Sequence, residues 1–223
     1  MKNITQTYDL QKTDKSLLVM PLFHVHGLLA GLLAPLYSHG SVVIPTPAPS
    51  GAAFSASTFW KDFISQGCTW FTAVPTIHII LLNTPAPNPL PKIKFIRSCS
   101  SALSPTTLKA LEERFKAPVL EAYAMTEAAH QMTSNLASFS VAGDGKGQRV
   151  PGTVGTGVGV EVSIRDITSG KEVSRGGVGE VCVRGPNVMK GYWAGEKVNK
   201  EAFWEGGWFR YVPLCRPGFN LQH

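Results

Sequence analysis

The chain has no C-x-x-C pair: its four cysteines, Cys68, Cys99, Cys182 and Cys215, lie far apart. Nothing in it resembles a secretory leader either, so a disulfide framework is not expected and a reducing compartment fits best. It also lacks any run of lysine and arginine. The 21 basic residues outnumber 15 acidic ones and give a net charge of +6, a balance that suits an anionic partner such as a nucleotide with its phosphates. The basic residues are scattered singly, without interleaved aromatics, so nucleic acid is not the expected partner. Long apolar runs are missing too. The stretch from Leu17 to Pro45 is broken by Pro21, His24, His26, Pro35 and His39, whereas a bilayer span needs about 20 apolar residues in succession. No transmembrane segment is expected.

What is present is apolar material with many turns. Of 223 residues, 43% are hydrophobic and 16% charged, and 22 glycines and 16 prolines are spread along the chain. Such a chain buries one sizeable core, or a core and a satellite, and has no low-complexity block. Leu17 to Met20 is a continuous apolar run ended by Pro21, which predicts a buried strand over 16–22. Leucines at helical spacing predict a helix over 27–37, and β-branched residues a strand over 41–44. The alternation continues with a helix over 56–66, a strand over 69–73, a helix over 76–82, a strand over 94–97, a helix from Ser104-Pro105 to about Phe115, and a strand over 118–123. Ser104 can cap free N–H groups, and proline suits the first helical position. The fold class expected is α/β: a helix-covered, mostly parallel sheet with ligands beyond the carboxyl ends of its strands. Near Gly143 the texture changes to glycines and short strands over 160–165 and 179–184 with no convincing helix. This predicts a small β-barrel-like subdomain over 151–210, a sheet subdomain over 1–150 and a tail over 211–223.

Three segments carry candidate chemistry. Pro21 to Gly27 follows a buried strand and places His24 and His26 two apart, on one face if extended. The ordinary reading is a pair of satisfied or solvated histidines, and zinc would need further ligands that do not occur nearby. Arg97 to Leu103 supplies small residues, Ser100, Ser101 and Ala102, that would let a flat ring lie against backbone, though such loops are also common turn material. Glu121 to Glu127 is more specific. A nucleotide site needs a flat partner for the base, a donor for a phosphoryl oxygen and a carboxylate for magnesium, and Tyr123, Thr126 and Glu127 could supply these in turn.

The segment Ala124-Met125-Thr126-Glu127 resembles a signature of the adenylate-forming (AMP-binding) enzymes, which include acyl-CoA synthetases, peptide-synthetase adenylation domains and luciferases. Gly152 to Gly155, Gly179 to Tyr192 and Gly207 to Arg210 match later motifs of that family, in order. Leu18 to Gly31 and Ala122 to Asn135 look still more like the oxalate–CoA ligases of fungi and plants. The resemblance covers roughly residues 3–210 and implies the central part of the family's large N-terminal domain. It implies an acid–CoA ligase that joins a small carboxylic acid to the α-phosphate of ATP with Mg2+, after which the thiol of CoA attacks the acyl-adenylate. By the same resemblance Tyr123 stacks on adenine with Ser101, Ala102, Glu121 and Ala122 at its edge, Thr126 holds the α-phosphate, and Glu127 holds the magnesium. His24 lies near the reacting carboxylate, and His26, Ser100 and His130 surround the acid. A peroxisomal or cytoplasmic address is implied by family alone.

The sequence departs from the family in three places. Met1 to Leu17 lacks the phosphate loop, Tyr211-Val212-Pro213 stands where the family has the Thr-Gly-Asp that binds ribose, and the C-terminal lid domain with its catalytic lysine is not in the sequence. A truncated gene product without turnover is therefore expected, so a nucleotide- or acid-binding remnant is an alternative, as is a ligase for a medium-chain or aromatic acid. Gly152 to Gly159 precedes a strand and is not a dinucleotide loop. Trp193, Phe203, Trp204 and Trp208 are expected to pack within the β unit, and Glu112, Glu113 and Arg114 to form a solvated helix face.

Overall fold

In the computed structural model, which describes residues 1–47, 54–136, 149–174, 176–193 and 195–211, the chain opens with helix α1 (Lys2–Thr7) and strand β1 (Lys15–Leu17). β1 is shorter than its apolar run. Leu18 keeps one ladder bond, to the Val43 carbonyl at 3.0 Å, and the chain then leaves the sheet toward Pro21, which has no N–H to continue the ladder. A π-helix over His26–Leu33 runs into α2 (Ala34–Tyr37). Its wider turn leaves Gly27 so close to the preceding loop that an added Cβ would lie 2.2 Å from the Pro21 carbonyl oxygen.

The remaining elements alternate as the periodicity predicts: β2 (Ser41–Val43), α3 (Ala56–Ser65), β3 (Trp70–Ala73), α4 (Pro75–Leu82), β4 (Phe95–Ser98), α5 (Pro105–Phe115) and β5 (Val119–Met125). Ser104 caps α5, its Oγ accepting the Thr107 N–H at 3.1 Å, and Pro105 opens the helix. β6 (His130–Ser134) and β7 (Thr156–Gly157) complete a seven-stranded sheet in the order β2-β1-β3-β4-β5-β6-β7. β2 to β5 run parallel; β6 and β7 are antiparallel additions.

Alternate strand residues go to opposite faces. Phe71, Ile96 and Val119 point into a cluster with Phe59, Phe63, Leu108, Leu111 and Phe115 of α3 and α5. Their neighbours Trp70, Phe95 and Leu120 pack on the other side with Ile4 and Tyr8 at the N-terminus and Ala30 and Ala34 of the π-helix and α2. Both faces are covered, which is why these strands read as continuous apolar runs and not as alternating ones.

The second sheet has four antiparallel strands in the order β10-β11-β9-β8, made of β8 (Glu161–Arg165), β9 (Glu180–Arg184), β10 (Phe203–Trp204) and β11 (Trp208–Tyr211). Between its strands lies α6 (Glu196–Ala202), a helix in the region expected to have none; none of its residues is buried, so no apolar stripe announces it. Trp208 is held between the guanidinium groups of Arg165 and Arg184, at 4.3 and 4.5 Å from its ring centre. Trp193 does not pack in this unit, being 98% exposed. Glu112 is not on a solvated face either: it pairs with Arg149 and accepts the Val119 N–H at 2.8 Å. The tail over 212–223 and the change of texture near Gly143 lie outside the described residues. No helix among the described residues is long and apolar enough to cross a membrane.

Two substitutions test this architecture. Gly27→Ala is expected to destabilise the chain by about 1–3 kcal/mol through forced displacement of the Pro21 loop, and Ser104→Ala by about 1 kcal/mol through loss of the cap. Urea unfolding curves measure both.

Candidate functional site

Because β1, β3, β4 and β5 are parallel, their carboxyl ends share one edge of the sheet, where open α/β sheets place their ligands. The loops after β1, β4 and β5 bring His24 and His26, Ser100 to Ala102, and Thr126 and Glu127 to that edge. The two histidines are not in an extended segment. Val25 is already helical, so His26 turns inward and is fully buried while His24 stays exposed, its Nδ1 accepting the His26 backbone N–H at 3.1 Å.

A cavity of about 590 Å³ opens beside the β4 and β5 loops, lined by Ser100, Ser101, Ala102, Glu121, Ala122 and Tyr123 together with Gly152 and Thr153. All five residues expected at the nucleotide base therefore share one wall. Glu121 is buried, and its carboxylate accepts the Gly152 N–H at 3.0 Å, which ties the 149–154 loop to β5. Burial pushes the Glu121 carboxyl up from its ordinary value, with the Gly152 N–H and Arg149 opposing the shift. Thr126 and Glu127 are not in this wall. They form a 3₁₀ turn beyond it, with Thr126 exposed and Glu127 accepting from the Tyr192 hydroxyl at 3.0 Å. The chain reverses there through Ala129 and His130, at φ 48° and 84°. A left-handed bend made without glycine or asparagine has no sequence signal, and β6 was missed for that reason.

Among the described residues no group of three or more His, Cys, Asp and Glu side chains is placed to hold a metal ion. Glu127 stands as a single carboxylate, a donor set that suits magnesium, which keeps waters and substrate phosphates as most of its ligands.

Ser100 belongs to both the cavity and a second, buried cluster. Its backbone is left-handed, at φ 74°, a conformation that costs a non-glycine residue about 1–3 kcal/mol and persists only where the surroundings impose it. The hydroxyl lies 3.0 Å from His26 Nδ1. His26 Nε2 in turn lies 2.6 Å from the Thr72 hydroxyl, and the His26 ring stacks on His130 with centres 5.2 Å apart.

At the centre of this cluster is Arg97, which opens the serine-rich loop in the sequence and is not among the candidate residues named there. Its guanidinium is fully buried in β4. Nε donates to the Tyr8 hydroxyl at 2.8 Å, Nη1 to Thr72 at 3.0 Å, and Nη2 to the Gln131 side-chain carbonyl at 3.0 Å and toward His130 Nε2 at 3.2 Å. No carboxylate among the described residues pairs with it. The signal was available: a charged residue inside an apolar parallel strand is rare and needs partners.

Burial first, and then the Arg97 charge, hold the His26 and His130 imidazoles well below their ordinary value. Burial also pushes His78, on α4, down to about 4. The folded chain therefore binds fewer protons than the unfolded chain below about pH 6.5, and stability falls as the pH drops through that value. The melting temperature is expected to decrease steadily from pH 7 to pH 5, measured by circular dichroism. An unchanged value would mean that the folded histidines take up protons as readily as free ones.

Residues 1–193 match the family of AMP-binding enzymes. The chain is 52% identical over 201 residues to an oxalate–CoA ligase of Saccharomyces cerevisiae, covering 90% of this chain and 34% of that enzyme. It is 50% identical over 213 residues to a probable CoA ligase of Humulus lupulus, covering 94% of this chain and 38% of that protein. It thus spans little more than a third of these curated relatives. The crystal structure of ATP-bound MatB from Rhodopseudomonas palustris superposes with a TM-score of 0.80 at 29% identity, over 94% of this chain and 39% of that one. The fold with its loops at one sheet edge, and the family match over residues 1–193, lead to one conclusion: the chain belongs to the AMP-binding enzyme family.

Proposed function

We propose that this chain is the central part of an acid–CoA ligase whose acid is a short dicarboxylate, oxalate being the preferred candidate. The observation that carries the reading is the position of Ser100, which lines the cavity and is hydrogen-bonded at 3.0 Å to a buried histidine cluster. A ligase for fatty or aromatic acids needs an apolar pocket. A second carboxylate buried without partners would cost several kcal/mol, and the Ser100 hydroxyl, held by His26, together with the His130 imidazole would offset that cost. The two similar proteins named for CoA ligation support the reaction class.

In this reading Tyr123, half-buried in the cavity wall, stacks on adenine, with Ser101, Ala102, Glu121 and Ala122 at the edge of the base. The Thr126 hydroxyl donates to the α-phosphate. Glu127 would hold magnesium, which when bound neutralises phosphate charge as the reaction proceeds. His24, which is exposed, lies beside the reacting carboxylate. That carboxylate oxygen attacks the α-phosphorus of ATP, pyrophosphate leaves, and the acyl-adenylate then presents a carbonyl carbon with a good leaving group to the thiol of CoA. The buried cluster holds the other carboxylate away from the phosphorus, so the diacid is activated at one end.

Calorimetric titration separates the two halves of the site. His130→Ala is expected to weaken oxalate binding tenfold or more while changing ATP affinity less than twofold; equal loss of both would count against the acid assignment. Tyr123→Ala is expected to do the reverse, weakening ATP by about 1–3 kcal/mol, the usual worth of a base stacked on an aromatic ring. Pyrophosphate release with an aromatic acid but not with oxalate would overturn the choice of substrate, and ATP binding without any release would favour a binding remnant.

A further inference from the structure

Three side chains between Arg97 and the cavity, Thr72, His26 and Ser100, form a chain of hydrogen bonds whose direction is set at one end. Arginine can only donate. Nη1 donates to the Thr72 hydroxyl at 3.0 Å, which leaves the single Thr72 proton for its other partner, His26 Nε2, at 2.6 Å. If Nε2 accepts, the His26 proton is on Nδ1, which then donates to Ser100 Oγ at 3.0 Å. Ser100 accepts there with one of its two lone pairs, and its own proton is left to point into the cavity that it lines. The second branch runs the same way: Nη2 lies 3.2 Å from His130 Nε2, so this nitrogen accepts and the His130 proton is on Nδ1.

The opposite arrangement is costly. With the proton on His26 Nε2, the Thr72 oxygen would receive two donors and its own proton would be stranded at a site only 3% exposed. The same N–H would face the Arg97 Nη1 group at 3.4 Å. A stranded buried donor costs about 1–3 kcal/mol, enough to decide the tautomer.

We propose that Arg97 is a positioning residue that sets the tautomers of His26 and His130 through these bonds, so that Ser100 turns its hydroxyl proton toward the cavity and favours an ionised carboxylate over a neutral end group of the same shape. The unpaired guanidinium charge adds to the effect by favouring an anion over a neutral group of the same shape. This inference rests on the diacid reading above for its substrate, and the suppressed ionisation of both histidines agrees with it. Oxamate is the discriminating probe. It matches oxalate in size and keeps one carboxylate, but its other end is a neutral amide, a weaker acceptor for the Ser100 hydroxyl than a carboxylate and without a charge to be attracted by the guanidinium.

The test uses the full chain with isotope-labelled histidine. Imidazole nitrogen–proton correlation spectra at pH 7 are expected to show both His26 and His130 neutral with the proton on Nδ1. Calorimetry is expected to show oxalate binding at least tenfold tighter than oxamate. Arg97→Gln, whose side chain can accept as well as donate, is expected to mix the His26 tautomers and bring the two affinities within about threefold; Arg97→Lys, a donor alone, is expected to restore the Nδ1 tautomer and part of the preference. If Arg97→Gln does not fold, the spectra of the unaltered chain decide: an Nε2 proton or a doubly protonated ring on His26 overturns the inference while leaving the diacid reading intact. Both histidines in the Nδ1 form support it even if oxalate does not bind, a result that would instead sink the diacid reading. Oxamate binding as tightly as oxalate to the unaltered chain also overturns it.

Discussion

A guanidinium group buried with no carboxylate among the described residues beside it is the constraint around which the rest of the site is arranged. Removing such a charge from water costs several kcal/mol unless its donors are satisfied. Arg97 meets that requirement with neutral acceptors drawn from across the fold: Tyr8 near α1, Thr72 on β3, and Gln131 and His130 on β6. Each acceptor is then committed. Tyr8 passes on to Ser134 at 2.8 Å or Gln131 at 3.0 Å, and Gln131 donates to Thr7 at 3.1 Å. The N-terminal helix, the sheet centre and the antiparallel return strand are thereby joined by one polar network around a buried positive charge.

The backbone is shaped to the same end. The π-helix at His26–Leu33 and the left-handed residues Ser100 and His130 are local departures from ordinary geometry, and all three border the polar cluster. Wide helical turns and strained residues are costly and collect where side chains must be aimed at a site. Here they turn His26 and His130 inward against each other and turn Ser100 from the buried cluster toward the cavity. Glu127 and Tyr192 form a second joint, where the 187–192 loop meets the turn after β5. Asn187 donates to the Ala128 carbonyl at 2.7 Å and Met189 to the Glu127 carbonyl at 2.7 Å. The smaller sheet is thus fastened to the edge of the proposed phosphate site.

Much of this was legible in the residues. Short apolar and β-branched runs marked β1 to β5, and helical leucine spacing marked the helix after β1; the strands are apolar because both faces of a parallel sheet must be covered. Ser104-Pro105 marked a helix start through the free N–H groups it satisfies. The turn to β6 was not legible: Ala129 and His130 take left-handed angles usually left to glycine, and only packing imposes them. α6 carried no apolar stripe, and Trp193, expected in a core, stands in solvent. The base-side residues of the candidate site were found because they lie in one stretch of sequence. Arg97 and Thr72 were missed because their significance lies in partners 25 to 89 residues away.

By itself the sequence determined an α/β sheet with its loops at the strand ends, a family, and a set of candidate residues, since hydrophobic period, turn chemistry and contiguous motifs are local properties of the chain. Only the tertiary structure decided which histidine is buried, that Ser100 links the cavity to the interior, and in which direction hydrogen bonds run through Thr72 and His26. Those facts depend on strand pairing that brings residues 26, 72, 97, 100 and 130 within hydrogen-bond distance, and a donor has no direction until its acceptor is in place.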